Sequence, residues 1–180
     1  MRKAIALAAG LAVLAFVNFG IYQRERLLTD GRIVLLKLSP VDPRSLMQGD
    51  YMRLNYEAAD QAFPWQRRSG LADGHIVVGL DGRSVGHFRR FADKRPLAPD
   101  EMVLRYRIRG GQPSLATDAY FFEEGQAGAF ANAAYGEFRV AADGEMILTG
   151  LRDARFTPLK GGGQPIQSRP GRAPDGDAGA

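Results

Sequence analysis

Residues Ala4 to Tyr22 form an unbroken run of nineteen residues without a charge. As a helix such a run is about 28 Å long, close to the thickness of a bilayer's hydrocarbon core. It predicts one transmembrane helix that meets the lipid bilayer through residues 4–22. A cleaved signal peptide would share the basic start, Arg2 and Lys3, but cleavage wants small residues one and three positions before the cut. The end of the run, Phe16-Val17-Asn18-Phe19-Gly20-Ile21-Tyr22, offers no good site, so an uncleaved signal anchor is expected. Arg24, Arg26, Arg32 and Lys37 follow the run, and by count alone they would hold that side in the cytoplasm. The positive-inside rule weakens for large translocated domains, so the bulk of the chain is expected outside the cytoplasmic membrane. The polar continuation Gln23 to Thr29 extends the helix to a stop at Asp30-Gly31.

Beyond Gly31 the pattern changes from a continuous apolar run to alternation, the signature of strands. Arg32–Leu38 and Asp50–Glu57 read as the first two. His75–Leu80 and Ser84–Phe91 flank Asp81-Gly82, and Phe138–Ala141 and Met146–Leu151 flank Ala142-Asp143-Gly144-Glu145; both are hairpin signals, because Asp-Gly tolerates the positive φ of a tight turn. Met102–Arg109 alternates cleanly, with Leu104, Tyr106 and Ile108 on a core face and Arg105, Arg107 and Arg109 opposite. Thr117–Phe122 reads as a further strand and the alanine-rich Glu123–Ala134 as a helix. The expectation is a mainly β (α+β) architecture: an anchor over 1–30, a single mostly antiparallel β-rich domain with one or two short helices over 31–157, and a disordered tail over 158–180. The tail carries almost no apolar side chain besides Leu159 and Ile166 with which to offset its ordering entropy.

The most specific segment is Pro40-Val41-Asp42-Pro43-Arg44-Ser45-Leu46-Met47-Gln48 followed by Gly49-Asp50-Tyr51-Met52-Arg53-Leu54-Asn55-Tyr56. It resembles the signature of the GDYxxLxY proteins, short membrane-anchored bacterial proteins. Two further segments resemble the same family's pattern: Tyr120-Phe121-Phe122-Glu123-Glu124-Gly125, and Tyr135-Gly136-Glu137-Phe138-Arg139-Val140 leading to Gly144 and Gly150-Leu151. The resemblance spans residues 40–151 and implies an extracytoplasmic domain and a partner among multi-span membrane proteins. Alternation puts Tyr51, Arg53 and Asn55 on one face and Met52, Leu54 and Tyr56 on the other, so the two signature tyrosines point opposite ways. Pro43, Gly49, Leu54 and Tyr56 read as architecture. Asp42, Arg44, Asp50, Tyr51, Arg53 and Glu123 are the candidate binding residues.

A shorter resemblance, about ten residues, is to type I signal peptidases, where a serine nucleophile precedes a Gly-Asp that opens a strand. Ser45-Leu46 and Gly49-Asp50 match, but Val41 stands where the nucleophile should be, and valine has nothing to activate. An envelope hydrolase would have to use Ser45 with Lys37 or Lys94. His75 and His87 are the only histidines and no acidic cluster accompanies them, so neither metal nor cofactor is expected. The chain has no cysteine, which excludes disulfides and thiolate chemistry.

The net charge of +4 dissolves on inspection: residues 31–157 hold 17 bases and 16 acids, no basic footprint for nucleic acid. Charge is nonetheless segregated, with eight bases against three acids in 83–109 and seven acids against two bases in 118–153. The two segments could neutralise each other across paired strands, or the arginine face of 105–109 could bind an anionic lipid or cell-wall polymer. The sequence thus leads to a non-catalytic binding or accessory protein of the bacterial inner membrane. A divergent hydrolase and a lipid or polymer binder are the alternatives.

Overall fold

The computed structural model describes residues 2–39, 47–48, 51–64 and 72–160, with the backbone alone for residues 2, 4–8 and 47–48. The chain opens with helix α1 (Arg2–Asp30), which ends where Gly31 N–H reaches the Leu27 carbonyl. Leu11, Val13, Leu14, Phe16, Val17, Phe19, Ile21 and Tyr22 are exposed along it, so it has no polar face through this stretch. Among the described residues no helix is long and apolar enough to cross a membrane. The side chains of residues 4–8, which begin the uncharged run, lie outside that description.

Among the described residues ten strands follow, in three antiparallel sheets. The first sheet has the order β1 (Arg32–Lys37), β9 (Ala133–Val140), β10 (Met146–Asp153). The second is small: β2 (Met47–Gln48), β3 (Tyr51–Arg53), β8 (Ala119–Phe121). The third runs β5 (Gly86–Phe91), β4 (Gly74–Leu80), β6 (Glu101–Arg109), β7 (Gln112–Leu115). Single bridges stitch them together: Leu38 pairs with Tyr56, Leu35 with Val85, and Arg105 N–H donates to the Gly144 carbonyl. One core lies between them, built from Val34, Leu36, Leu54, Ile76, Val78, Leu104, Phe138 and Leu148 on the inward positions of their strands.

The alternation of residues 102–109 and the parity of residues 51–56 are as expected: Leu104 and Tyr106 are buried while Arg107 and Arg109 are exposed. Both expected hairpins form, and they share one construction. In the first, Ser84 N–H closes on the Asp81 carbonyl and Asp81 N–H on that of Val85; in the second, Gly144 N–H closes on Ala141 and Ala141 N–H on Glu145. The left-handed residue is Gly144 (φ 86°) in the second but Ser84 (φ 63°), not Gly82, in the first. There the Asp81 carboxylate holds the turn by accepting the N–H groups of Arg83 and Val85.

Other elements depart from the sequence reading. The second strand stops at Arg53, and Glu57 starts helix α2 (Glu57–Ala62) instead of ending the strand. Ala58 and Ala62, four apart, bury the inner side of α2 and deliver Phe63 to a ring cluster with Tyr106 (4.7 Å) and Phe91 (5.3 Å). The helix expected over Glu123–Ala134 shrinks to α3 (Ala127–Phe130). Gly125 at φ 81° breaks it on one side, and Ala133 enters β9 on the other, because pairing with β10 uses that backbone. β7 was not foreseen. Most of the expected tail, 161–180, lies outside the described residues, but its first residues are tied down: Pro158 bridges Arg152, and Leu159 N–H reaches the Leu151 carbonyl.

Tyr56 is 3% exposed, its ring meets Phe138 edge to face with centroids 5.5 Å apart, and its hydroxyl donates to the Thr117 carbonyl at 3.0 Å. Burial, then the nearby Asp118 charge, holds its hydroxyl well above the ordinary tyrosine range. A folded pKa above the unfolded value gives stability that is complete below about pH 10 and is lost as pH rises through the folded pKa. Urea unfolding should therefore show stability falling above about pH 10, less steeply in Tyr56→Phe; that variant should cost about 1–2 kcal/mol at neutral pH by orphaning the Thr117 carbonyl. An unchanged alkaline slope in Tyr56→Phe contradicts this.

Candidate functional site

Strand β3 divides the signature into two halves. Its inward side chain Met52, and Leu54 and Tyr56 just past its end, are each 2–3% exposed and belong to the core. Its outward side chains, half-buried Tyr51 and exposed Arg53, sit on the small sheet's outward face. Register pairs Tyr51 with Phe121, Met52 with Tyr120 and Arg53 with Ala119 across β3 and β8. Tyr51 and Phe121 thus meet, with ring centroids 5.6 Å apart, and Phe121 stays 38% exposed.

Phe121 was missed as a site residue by sequence reasoning, although its spacing in Tyr120-Phe121-Phe122 could have found it. Tyr120 and Phe122 are buried against Phe130, at 5.0 and 5.5 Å, and alternation leaves the middle ring outside. β8 is the outer strand of its sheet, and among the described residues no strand pairs with its far side. The Thr117 hydroxyl occupies the start of that strand by donating to the Ala119 carbonyl at 2.9 Å. Glu123 is exposed just past β8, in a turn where its carbonyl accepts Gln126 N–H.

The structure therefore brings Tyr51 and Arg53 onto one face with Phe121, and sets Glu123 beyond its end. Asp42, Pro43, Arg44, Gly49 and Asp50 lie outside the described residues, as does Ser45. This face offers aromatic surface, a guanidinium, and a strand edge, a combination suited to recognising an extended peptide or a complementary protein surface.

Chemistry elsewhere is constrained. Lys37 pairs with Glu57 at 2.9 Å, and this hydrogen bond, then the Glu57 charge, raises the lysine pKa. A lysine base must be neutral to accept a proton, and this environment pushes the other way. His87 lies 3.9 Å from Asp81, and among the described residues no group of three or more metal-ligand side chains comes together. The arginine face of β6 is occupied: Arg105 and Arg107 (2.9 Å) both pair with Glu145 on the β9–β10 turn, joining the basic and acidic segments. Arg89 and Arg90 find acids within their own segment, Asp100 at 2.7 Å and Glu101 at 3.0 Å respectively.

The family model described as GDYXXLXY protein matches residues 13–151, more than half of the chain. The chain belongs to that family. No curated protein and no solved structure matched it.

The division of the signature has a measurable consequence. Leu54→Ala should cost about 2–5 kcal/mol, the range for emptying a packed core position. Tyr51→Ala and Phe121→Ala should each cost about 1 kcal/mol or less in the same urea titration. Equal losses at Leu54 and Tyr51 would show that the outward half is structural too.

Proposed function

We propose that this GDYXXLXY protein is a membrane-anchored, non-catalytic accessory protein of the bacterial envelope that binds a multi-span membrane protein through the β3–β8 face. The observation that carries this reading is the outward Tyr51–Phe121 ring pair on a sheet whose outer strand, among the described residues, has no strand on its far side. The exposed Phe121 ring, with half-buried Tyr51 against it, beside a strand edge that no described strand occupies gives a partner both an aromatic anchor and a backbone to extend. Arg53 beside them and Glu123 past the strand end add charges of both signs, which fix register more than affinity. Asp42, Arg44 and Asp50 complete the contact surface in this reading.

Anchoring through residues 4–22 rests on the uncharged run and on the exposed apolar side chains that helix α1 leaves without protein cover. The basic head Arg2-Lys3 then stays in the cytoplasm and places the bulk of the chain on the far side of the inner membrane. Confinement beside the bilayer favours a membrane-embedded partner by raising its effective concentration. Within the hydrolase alternative, Lys37 is disfavoured as the base because Glu57 raises its pKa, and a polymer site on Arg105 and Arg107 is disfavoured by their pairing with Glu145.

Full-length protein purified in mild detergent should carry a multi-span membrane protein with it. A Tyr51→Ser, Phe121→Ser double variant should lose that complex about tenfold or more while remaining folded, and Ser45→Ala should leave it intact. A complex undiminished by the double variant, or an activity abolished by Ser45→Ala, sinks the reading.

A further inference from the structure

The outer face of the first sheet carries a second cluster that the signature does not explain. Leu35 points away from the core yet is only 4% exposed: its N–H reaches the Ser84 carbonyl, and it shares a cavity with Phe156, where the chain turns back after β10. That return is a turn, Asp153-Ala154-Arg155-Phe156, built like Asp81-Gly82-Arg83-Ser84. In each the fourth residue's N–H closes on the aspartate carbonyl, and the aspartate N–H on the carbonyl of the residue after it. In each the aspartate Oδ1 accepts the N–H groups of the arginine and of the residue two further on. The fourth residue is left-handed in both, Ser84 at φ 63° and Phe156 at φ 67°. The related turn at Gly144 uses glycine there, and a bulky residue such as phenylalanine is a genuine outlier in that region. Such outliers gather at ligand sites.

The two turns face each other. Together with Ile33, Leu35 and Arg152 they line an open cavity of about 480 Å³. The Arg83 guanidinium lies over the Phe156 ring at 4.9 Å, and that ring stacks on Tyr135 at 4.7 Å. Arg152 is held in place by Glu137 and by the Phe156 carbonyl. Arg83 and Arg155 are exposed, and among the described residues no carboxylate lies within ion-pair distance of either guanidinium. Their own aspartates accept backbone amides through Oδ1, and the Asp81 charge also acts on Arg83. Three guanidiniums border one cavity; Glu137 is engaged with Arg152, and the donors of Arg83 and Arg155 are taken by no carboxylate among the described residues.

We propose that this cavity binds a phosphate ester, with Arg83, Arg152 and Arg155 on the phosphate oxygens and the Ser84 hydroxyl beside them. Guanidinium forks match tetrahedral oxyanions, and Ile33, Leu35 and the Phe156 ring supply an apolar wall for the carbon part of the ester. The site does not depend on the proposed partner-binding role. Ile33 lies three residues past the end of α1, so an anionic lipid headgroup and a soluble phosphate ester share the chemistry that the pocket recognises.

Full-length protein in nonionic detergent is titrated with glycerol 3-phosphate, and separately with short-chain phosphatidylglycerol or phosphatidylcholine in mixed micelles, following thermal unfolding and calorimetric heat. Saturable stabilisation by glycerol 3-phosphate assigns a soluble ester; stabilisation by phosphatidylglycerol alone assigns a lipid headgroup. Either supports the site if Arg155→Gln weakens it about tenfold, the loss of one charge-assisted hydrogen bond, while Arg95→Gln on the far loop does not. Arg83→Gln serves in the same way should Arg155→Gln prove unstable without ligand. No binding to glycerol 3-phosphate or to phosphatidylglycerol at 10 mM, on the order of ten-thousandfold weaker than a micromolar site, overturns the proposal. So does binding that survives both pocket substitutions, or that Arg95→Gln weakens equally.

Discussion

Tyr56 is the position where the domain's separate sheets become one body. Its backbone bridges Leu38 at the end of β1, its ring packs on Phe138 of β9, its hydroxyl reaches the Thr117 carbonyl before β8, and its carbonyl starts α2 by accepting Asp60 N–H. The ring fits because Gly136 of β9 has no side chain. A Cβ there would lie 3.0–3.3 Å from Phe138, Leu148 and Tyr56, tighter than ordinary packing. The segments of the family pattern, far apart in the chain, therefore converge on one contact: the signature supplies Tyr56, the third segment supplies Gly136 and Phe138, and the second supplies Tyr120, opposite Met52.

That convergence explains why one short strand can carry two roles. With Leu54 and Tyr56 fixed in the core, the pleat obliges Tyr51 and Arg53 to face outward, whatever they contact there. The scaffold positions the surface, and the surface contributes little to the scaffold. The same logic holds on the opposite side of the first sheet. There Leu35, Tyr135 and Phe156 cover a face that alternation alone would leave to water, and the arginines of two matched turns border it.

Much of this was legible in the sequence where local chemistry decides. Alternation gave the faces of Met102–Arg109 and of Tyr51–Tyr56, and the Asp-Gly dipeptides marked both hairpins. What escaped depended on tertiary context. Glu57 reads as the end of the signature strand, but Glu-Ala-Ala-Asp-Gln-Ala disfavours a strand, and the burial of Ala58, Ala62 and Phe63 against β5 and β6 makes Glu57–Ala62 a helix. The alanine-rich stretch after Glu123 has helical propensity, but strand pairing from Ala133 overrides it. Phe121 became visible as a surface ring only once its register against Tyr51 was known. The twin turns escaped because Asp-x-Arg is too common a pattern to single out without seeing the two face each other.

The central claim is that the signature strand keeps one parity inside and the other outside. The chain has no cysteine of its own, so single cysteines placed in turn at positions 51 to 56 report on that directly. The account predicts that a bulky maleimide modifies cysteines at 51, 53 and 55 in the folded protein, and those at 52, 54 and 56 only after denaturant. Uniform reactivity along the strand, or the reverse parity, would contradict it.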